Sequence, residues 1–288
     1  MKKTIISFIT VILFCNNIYA QRFGILPVRK DFNLNATIDS GTVRIWYALN
    51  ATDINNEETY DDLQRLEIGS RISKYYSFFI SNNDSLVSDW IKKNPTAQSF
   101  KHTMGYRGKS TVGWDECQYS EYFKDFSKNL LTQYIRMPYG IPDQQYSENI
   151  STQTWEILED TLTVAGYLCQ KATCRFRGRN YTAWFAMGIP IQNGPWKFGG
   201  LPGLILKVYD SDKLYVFECV KIESLKIKYP ITLHTHCKSY EKTDRQKFNK
   251  LLKRMHDDYY NVAGIISSNK DGSPLSWKKI PYNPLELE

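Results

Sequence analysis

The sequence predicts an α+β protein: a curved, mostly antiparallel β-sheet, a meander with half-barrel-like curvature as one form of it, covered by one or more helices including a C-terminal one. Three observations lead there. Aromatic residues make up 14% of the 288 positions, including 20 tyrosines and seven tryptophans, a composition suited to pleated, half-buried surfaces. From Thr154 onward, short alternating segments are punctuated by turn signals. Near the end, one stretch carries apolar residues at three-to-four spacing.

Taken in order, Lys2 and Lys3 precede an apolar run from Thr4 to Phe14, and Ala20 supplies the small residue of a signal-peptidase site. Residues 1–20 are therefore expected to be a signal peptide, with Gln21 starting a single domain over 21–288. Cys15 would instead mark a lipoprotein, but bulky Phe14 stands where such a site wants a small residue. The apolar run is about 11 residues, short of the ~20 a membrane-crossing helix needs, and no later segment comes closer. The protein is expected to be exported, to the periplasm, the outer-membrane periphery or the exterior.

Gly41–Leu49 alternates as a strand, and Asn50–Asp62 is polar. Leu66–Ile68 and Lys74–Ile80 read as extended, and Ser85–Lys93 as a short helix capped by Asp84 and stopped before Pro95. Residues 96–130 are ambiguous, with Cys117–Phe126 fitting either period, Gln133–Arg136 reads as a strand, and Pro138–Asn149 as a loop. Trp155–Leu158, Thr161–Val164, Leu168–Phe176, Asn180–Met187, Leu204–Tyr209 and Leu214–Ser224 follow as strands. Arg177-Gly178-Arg179 and Asp210-Ser211-Asp212 supply the turns. On Leu204–Tyr209 one side is apolar, and a helix over about 242–261, with Phe248, Leu251, Leu252, Met255 and Tyr259 as its stripe, is expected to cover it.

Removing the leader takes two lysines from 37 basic residues and leaves 35 against 30 acidic ones, a net charge of +5. The basic residues are interspersed with acids rather than gathered in a stripe, so nucleic acid is not an expected partner. Export also leaves five cysteines, Cys117, Cys169, Cys174, Cys219 and Cys237. If Tyr215–Val220 and Ile231–Cys237 form a hairpin centred near Lys228, Cys219 comes opposite Cys237, and a disulfide between them is expected.

Signals for chemistry are sparse. Gly108-Lys109-Ser110-Thr111 resembles the tail of a phosphate-binding loop, but Thr103 stands where the earlier glycine belongs. His234, His236 and Cys237 could form a zinc or copper site, particularly with His102 or His256 nearby, but an exposed polar strand face explains them more simply. Neither G-x-S-x-G nor H-E-x-x-H occurs, and paired carboxylates such as Asp61-Asp62 are sequence neighbours that splay apart. No catalytic residue, metal or cofactor is therefore assigned.

The most distinctive stretch is Asn193-Gly194-Pro195-Trp196-Lys197-Phe198-Gly199-Gly200-Leu201-Pro202-Gly203-Leu204-Ile205. Gly200 to Ile205 resembles the name motif of the GLPGLI family, exported proteins of Bacteroidetes-type bacteria with no established molecular role. The likeness extends through Gly166–Ala172, Phe176–Arg179, Ala183-Trp184-Phe185 and Ile189-Pro190-Ile191, covering about residues 40–225, and supplies no catalytic residue. In physical terms Gly200, Leu201, Pro202, Gly203, Leu204 and Ile205 read as a tight bend entering a core strand. Alternatively the bend lines a groove, with Trp184, Trp196, Lys197 and Phe198 as binding residues. The expected function is non-catalytic binding or carriage of an unknown ligand or envelope protein. The other readings are an interaction subunit of an outer-membrane transport or protease system, and an envelope hydrolase.

Overall fold

The structure is a computed structural model that describes residues 26–100, 114–266, 272–273, 277, 279 and 281–288. The expected signal peptide and the Gly108–Thr111 stretch lie outside the described residues.

Among these, β1 (Asn35–Leu49), β2 (Asp62–Gly69), β3 (Ile72–Ser77), α1 (Phe78–Lys93), β4 (Ser120–Asp125), β5 (Leu130–Ile135) and β6 (Gln144–Asn149) form the first half. The second half comprises β7 (Glu156–Val164), β8 (Tyr167–Phe176), β9 (Arg179–Ala186), β10 (Leu204–Asp210), β11 (Val216–His234), β12 (Glu241–Lys242) and α2 (Arg245–Val262). One open, mixed sheet of 12 strands runs in the order β12-β6-β5-β4-β3-β2-β1-β11-β10-β9-β8-β7. It is not a closed barrel. Every pairing is antiparallel except β12 with β6. Each half is thus a meander of neighbouring strands, and the β1–β11 ladder joins them.

Turn chemistry sets several registers. Ala165-Gly166 and Arg177-Gly178 have φ of 48°/83° and 50°/81°, the paired positive values of a two-residue hairpin turn whose twist matches its strands. Val164 consequently pairs with Tyr167, and Phe176 with Arg179.

Several sequence expectations change. Trp155–Leu158 and Thr161–Val164 belong to one strand, β7, interrupted by a register shift between Ile157 and Thr161. Likewise no hairpin forms near Lys228, because β11 runs unbroken for 19 residues. The 15-residue β1 offers it a partner from Leu49↔Phe217 to Asn35↔His234, so continuing the ladder satisfies more backbone groups than a local turn. Pro230, which cannot donate to a ladder, sits opposite Ser40 between two register shifts. The Cys219–Cys237 disulfide is therefore absent. Cys219 pairs with Tyr47 inside the ladder, Cys237 lies in the helical turn Thr235–Ser239, and at about 3.3 Å per residue the intervening strand separates them by tens of ångströms. All five described cysteines are buried and unbridged.

Helix α1 starts seven residues before the expected Ser85. Ser77, not Asp84, is its N-cap, its side chain accepting from the Ile80 N–H at 3.1 Å, while Asp84 is buried along the helix. Helix α2 matches its expected span, capped by Asp244 accepting from Lys247 N–H at 2.8 Å. Phe248, Leu252, Met255 and Tyr259 are buried, but they pack with Trp114, Ile135, Met137 and Tyr146 rather than over β10. The apolar residues of β10 are covered by the loop before it: Trp196, Phe198 and Leu201 join Leu204, Leu206 and Val208 in the main core. Strands from both halves supply this core, and Tyr47 reaches across it to donate to the Ile205 carbonyl at 2.8 Å.

Candidate functional site

Strand alternation gives the sheet two unlike faces. Ile45 and Tyr47 on β1, Leu66 on β2, Tyr75 on β3 and Tyr122 on β4 point into the core. Their neighbours therefore point the other way, and ladder pairing aligns them in two cross-strand rows. One row runs Trp46↔Arg65↔Tyr76↔Glu121, and the next runs Arg44↔Glu67↔Lys74↔Phe123. A charged face would normally be left to water, but this one is covered.

Three segments do the covering. At Gly41 a side chain would stand 2.0 Å from the Ile68 carbonyl oxygen, so only glycine permits the crossing there. Beyond it, the paired Asn35–Ser40 and Tyr229–His234 segments curl over the β2–β3 turn, and Lys74 Nζ donates to the Thr232 carbonyl at 3.0 Å. The first turn of α1 closes a second side. On a third, the residues before β1 bring Arg29, whose backbone N–H donates to Asp84 Oδ1 at 2.9 Å.

The result is a cavity of about 250 Å³. Five cationic side chains, Arg29, Arg44, Arg65, Lys74 and Arg136, line it against three carboxylates, Glu67, Asp84 and Glu121, leaving an excess of two positive charges. Arg29 pairs with Glu121, Lys74 with Glu121 at 2.9 Å, Arg136 with Asp84 at 2.8 Å, and Arg65 with Glu67 at 2.9 Å. Burial alone would raise the Glu121 carboxyl, but Arg29, Lys74 and Arg136 override it and hold the group far below the ordinary carboxylate range. Burial likewise lowers Arg65, with Glu67 opposing. Among the described residues, the Nε atoms of Arg29, Arg65 and Arg136 are buried without a hydrogen-bond partner. Ser81 lies on the same wall, and the positive end of the 16-residue α1 opens onto it. The arrangement suits an anion.

None of these residues was expected from sequence to carry function, and Asp84 was expected only as a helix cap. Arg65, Glu67, Lys74 and Glu121 resemble the solvated face of ordinary strands, and the three covering segments turn that face inward.

The residues that were singled out lie elsewhere. Trp196, Lys197 and Phe198 are 2%, 3% and 0% exposed, so they form no rim, and Trp184 is half-buried on β9 with Lys171 above its ring. Trp196 and Phe198 stack edge-on at 5.1 Å, and both pack against Phe176. Within the motif, Gly200 has φ of 80°, Pro202 is exposed, and Leu201, Leu204 and Ile205 are buried. Gly203 has no positive φ; its constraint is contact, since a side chain there would meet the Ala186 carbonyl oxygen at 2.3 Å. Lys197 Nζ donates to Tyr146 Oη and Glu148 Oε1 at 3.0 Å and to Glu286 Oε1 at 2.5 Å. Burial opposes its charge, but Tyr146, Glu286 and Glu148 outweigh that and keep it protonated.

Residues 175–207, from the end of β8 through this loop into β10, match a family model described as a protein of unknown function (Porph_ging). No curated protein matches the chain. Among solved structures, two crystal forms of PNGF-II are similar, with TM-scores of 0.44 and 0.45 at 13% identity over 74% of this chain. The chain spans about a third of their length, 33% and 32%. No described helix is long and apolar enough to cross a membrane.

Proposed function

We propose that this chain is an exported, non-catalytic binding protein of the bacterial envelope, of the GLPGLI type, and that the cavity between β1–β4 and α1 holds a small anion such as a carboxylate or phosphate compound. The observation that carries the reading is the cavity's excess of two positive charges together with three buried guanidinium Nε–H groups that have no partner among the described residues. A buried donor left unmade is costly, by about 1–3 kcal/mol each, and an anion's oxygens would satisfy them. Glu121, held ionised by its neighbours, suits charge pairing better than proton donation, which favours binding over acid–base catalysis.

The test is a calorimetric titration of the full chain with phosphate, citrate and glucuronate, repeated on Arg65→Gln and Arg136→Gln. Saturable binding of one of them, weakened at least tenfold by each substitution in a protein that still melts cooperatively, is the expected result. Absence of binding by every anion, or affinity indifferent to both arginines, overturns the reading.

A further inference from the structure

A second site lies on the opposite half of the sheet, where residues 283–288 rest in a groove made by β8, β9, the loop before β10 and the start of α2. This segment is held in the manner of a bound peptide. Its carbonyls are read by side chains: Arg179 donates to Pro284 O at 2.6 and 3.1 Å, Tyr181 to Leu285 O at 3.2 Å, and Tyr215 to Asn283 O at 2.6 Å. One main-chain bond, Leu287 N–H to Arg177 O at 2.9 Å, adds an edge-like contact. Leu285, 2% exposed, fills a socket in the main core. Glu286 is gripped by Lys197 at 2.5 Å, with Arg245 at 3.6 Å and Arg177 at 3.9 Å, and Glu288 meets Arg175 at 2.9 Å.

Charge in the groove favours an acidic occupant. Arg175, Arg177, Arg179, Lys197 and Arg245 face three carboxyls of the groove itself, Glu148, Asp210 and Glu116, the last accepting from the Leu285 N–H and pushed up to about 8 by burial, so that it adds little negative charge at neutral pH. Glu286 and Glu288 offset two of the three surplus positive charges. Carbonyl readers, an apolar socket and a carboxylate clamp, set one residue apart along an extended chain, constitute a recognition pattern for Pro-Leu-Glu. The floor and one wall come from the stretch that matches the family model, including Arg177, Arg179, Tyr181 and Lys197.

We propose that this groove is a peptide-docking site that accepts an extended, acidic Pro-Leu-Glu segment in trans, the chain's own 283–288 segment being its resident occupant. A partner chain presenting that pattern would compete for the same carbonyl readers and the same lysine.

The test uses a fluorescent synthetic peptide of residues 281–288 and the full chain carrying Leu285→Ala and Glu286→Gln, which weakens the resident segment. Anisotropy should show saturable binding to this variant at least tenfold tighter than to the unaltered chain. A peptide with Gln in place of Glu286, or the variant further changed by Lys197→Met, should lose at least tenfold. A folded variant that ignores the peptide, or binds a scrambled sequence equally, overturns the proposal. Should the variant not fold, the unaltered chain decides: a photo-crosslinker replacing Leu287 in excess free peptide should label residues 175–179, and labelling spread evenly over the protein, or none, overturns it.

Discussion

Lys124 on β4 donates to Asn193 Oδ1 at 2.9 Å and to the Phe198 carbonyl at 2.5 Å, fastening the loop before β10 to the first half of the sheet. It is 4% exposed, and no carboxylate is among its described hydrogen-bond partners. Burial pushes the ammonium down to about 7, against about 10.4 in an unfolded chain. Between those values the unfolded state holds a proton that the folded state has shed, so this residue makes stability rise with pH across that window. The melting-temperature difference between the unaltered chain and Lys124→Gln should therefore grow in favour of the unaltered chain from pH 7 to pH 10. A difference that stays flat would show that the lysine keeps its charge.

Asp62 gives the opposite sign. It is fully buried, accepting from Ser77 Oγ at 2.7 Å and Gln64 Nε2 at 3.0 Å, and burial raises its carboxyl to about 8 despite those bonds. Here the folded state retains a proton that the unfolded state loses from about pH 4, so stability falls as pH climbs from there to about 8. Asp62→Asn removes that loss. Its melting temperature relative to the unaltered chain should climb over the same interval, and a parallel pair of pH curves would contradict it.

Gly203→Ala tests contact without left-handed backbone. The added methyl would meet the Ala186 carbonyl oxygen at 2.3 Å, and the strand cannot shift without breaking the Leu204↔Ala186 pairing. Overpacking of this kind costs about 1–3 kcal/mol. Gly166→Ala is the control: its φ is 83°, but nothing stands within 4 Å of the added carbon, so only the backbone term of about 1 kcal/mol remains. Denaturant melts that rank Gly166→Ala as the more damaging change would refute the contact argument.

Trp196→Ala and Leu204→Ala should behave as core truncations, costing about 3–5 and 2–5 kcal/mol respectively. Trp196 is 2% exposed and seated against Phe176 and Phe198, while Leu204 is fully buried. Chemical denaturation of both variants measures this. A Trp196→Ala protein as stable as its parent would mean that the ring is not a core element.

Local signals in the sequence located β8, β9, β10, the first part of β11 and α2, because alternation, turn residues and the Phe248–Tyr259 stripe are short-range properties. The start of α1 was missed because Lys74–Ser77 alternates as a strand up to the very residue that caps the helix. The long β11 was missed because Pro230 reads as a turn when its partner β1 is out of view. The cavity was illegible for a related reason: the charges of Arg65, Glu67 and Lys74 mark a wet face until a segment some 160 residues away in sequence lies over them.

The joint between β1 and β11 also orders events in time. Each meander can assemble from neighbours in sequence, but the 12-stranded sheet is completed only by pairing residues as far apart as Asn35 and His234. Loop closure over such a span is slow compared with hairpin formation, so the first meander waits with the fifteen-residue edge of β1 unpaired. A chain emerging from its amino terminus passes through a stage in which that edge is open to any other strand. Assembly errors of this protein should therefore arise at β1, and a binder that caps β1 would arrest folding while leaving the finished molecule untouched.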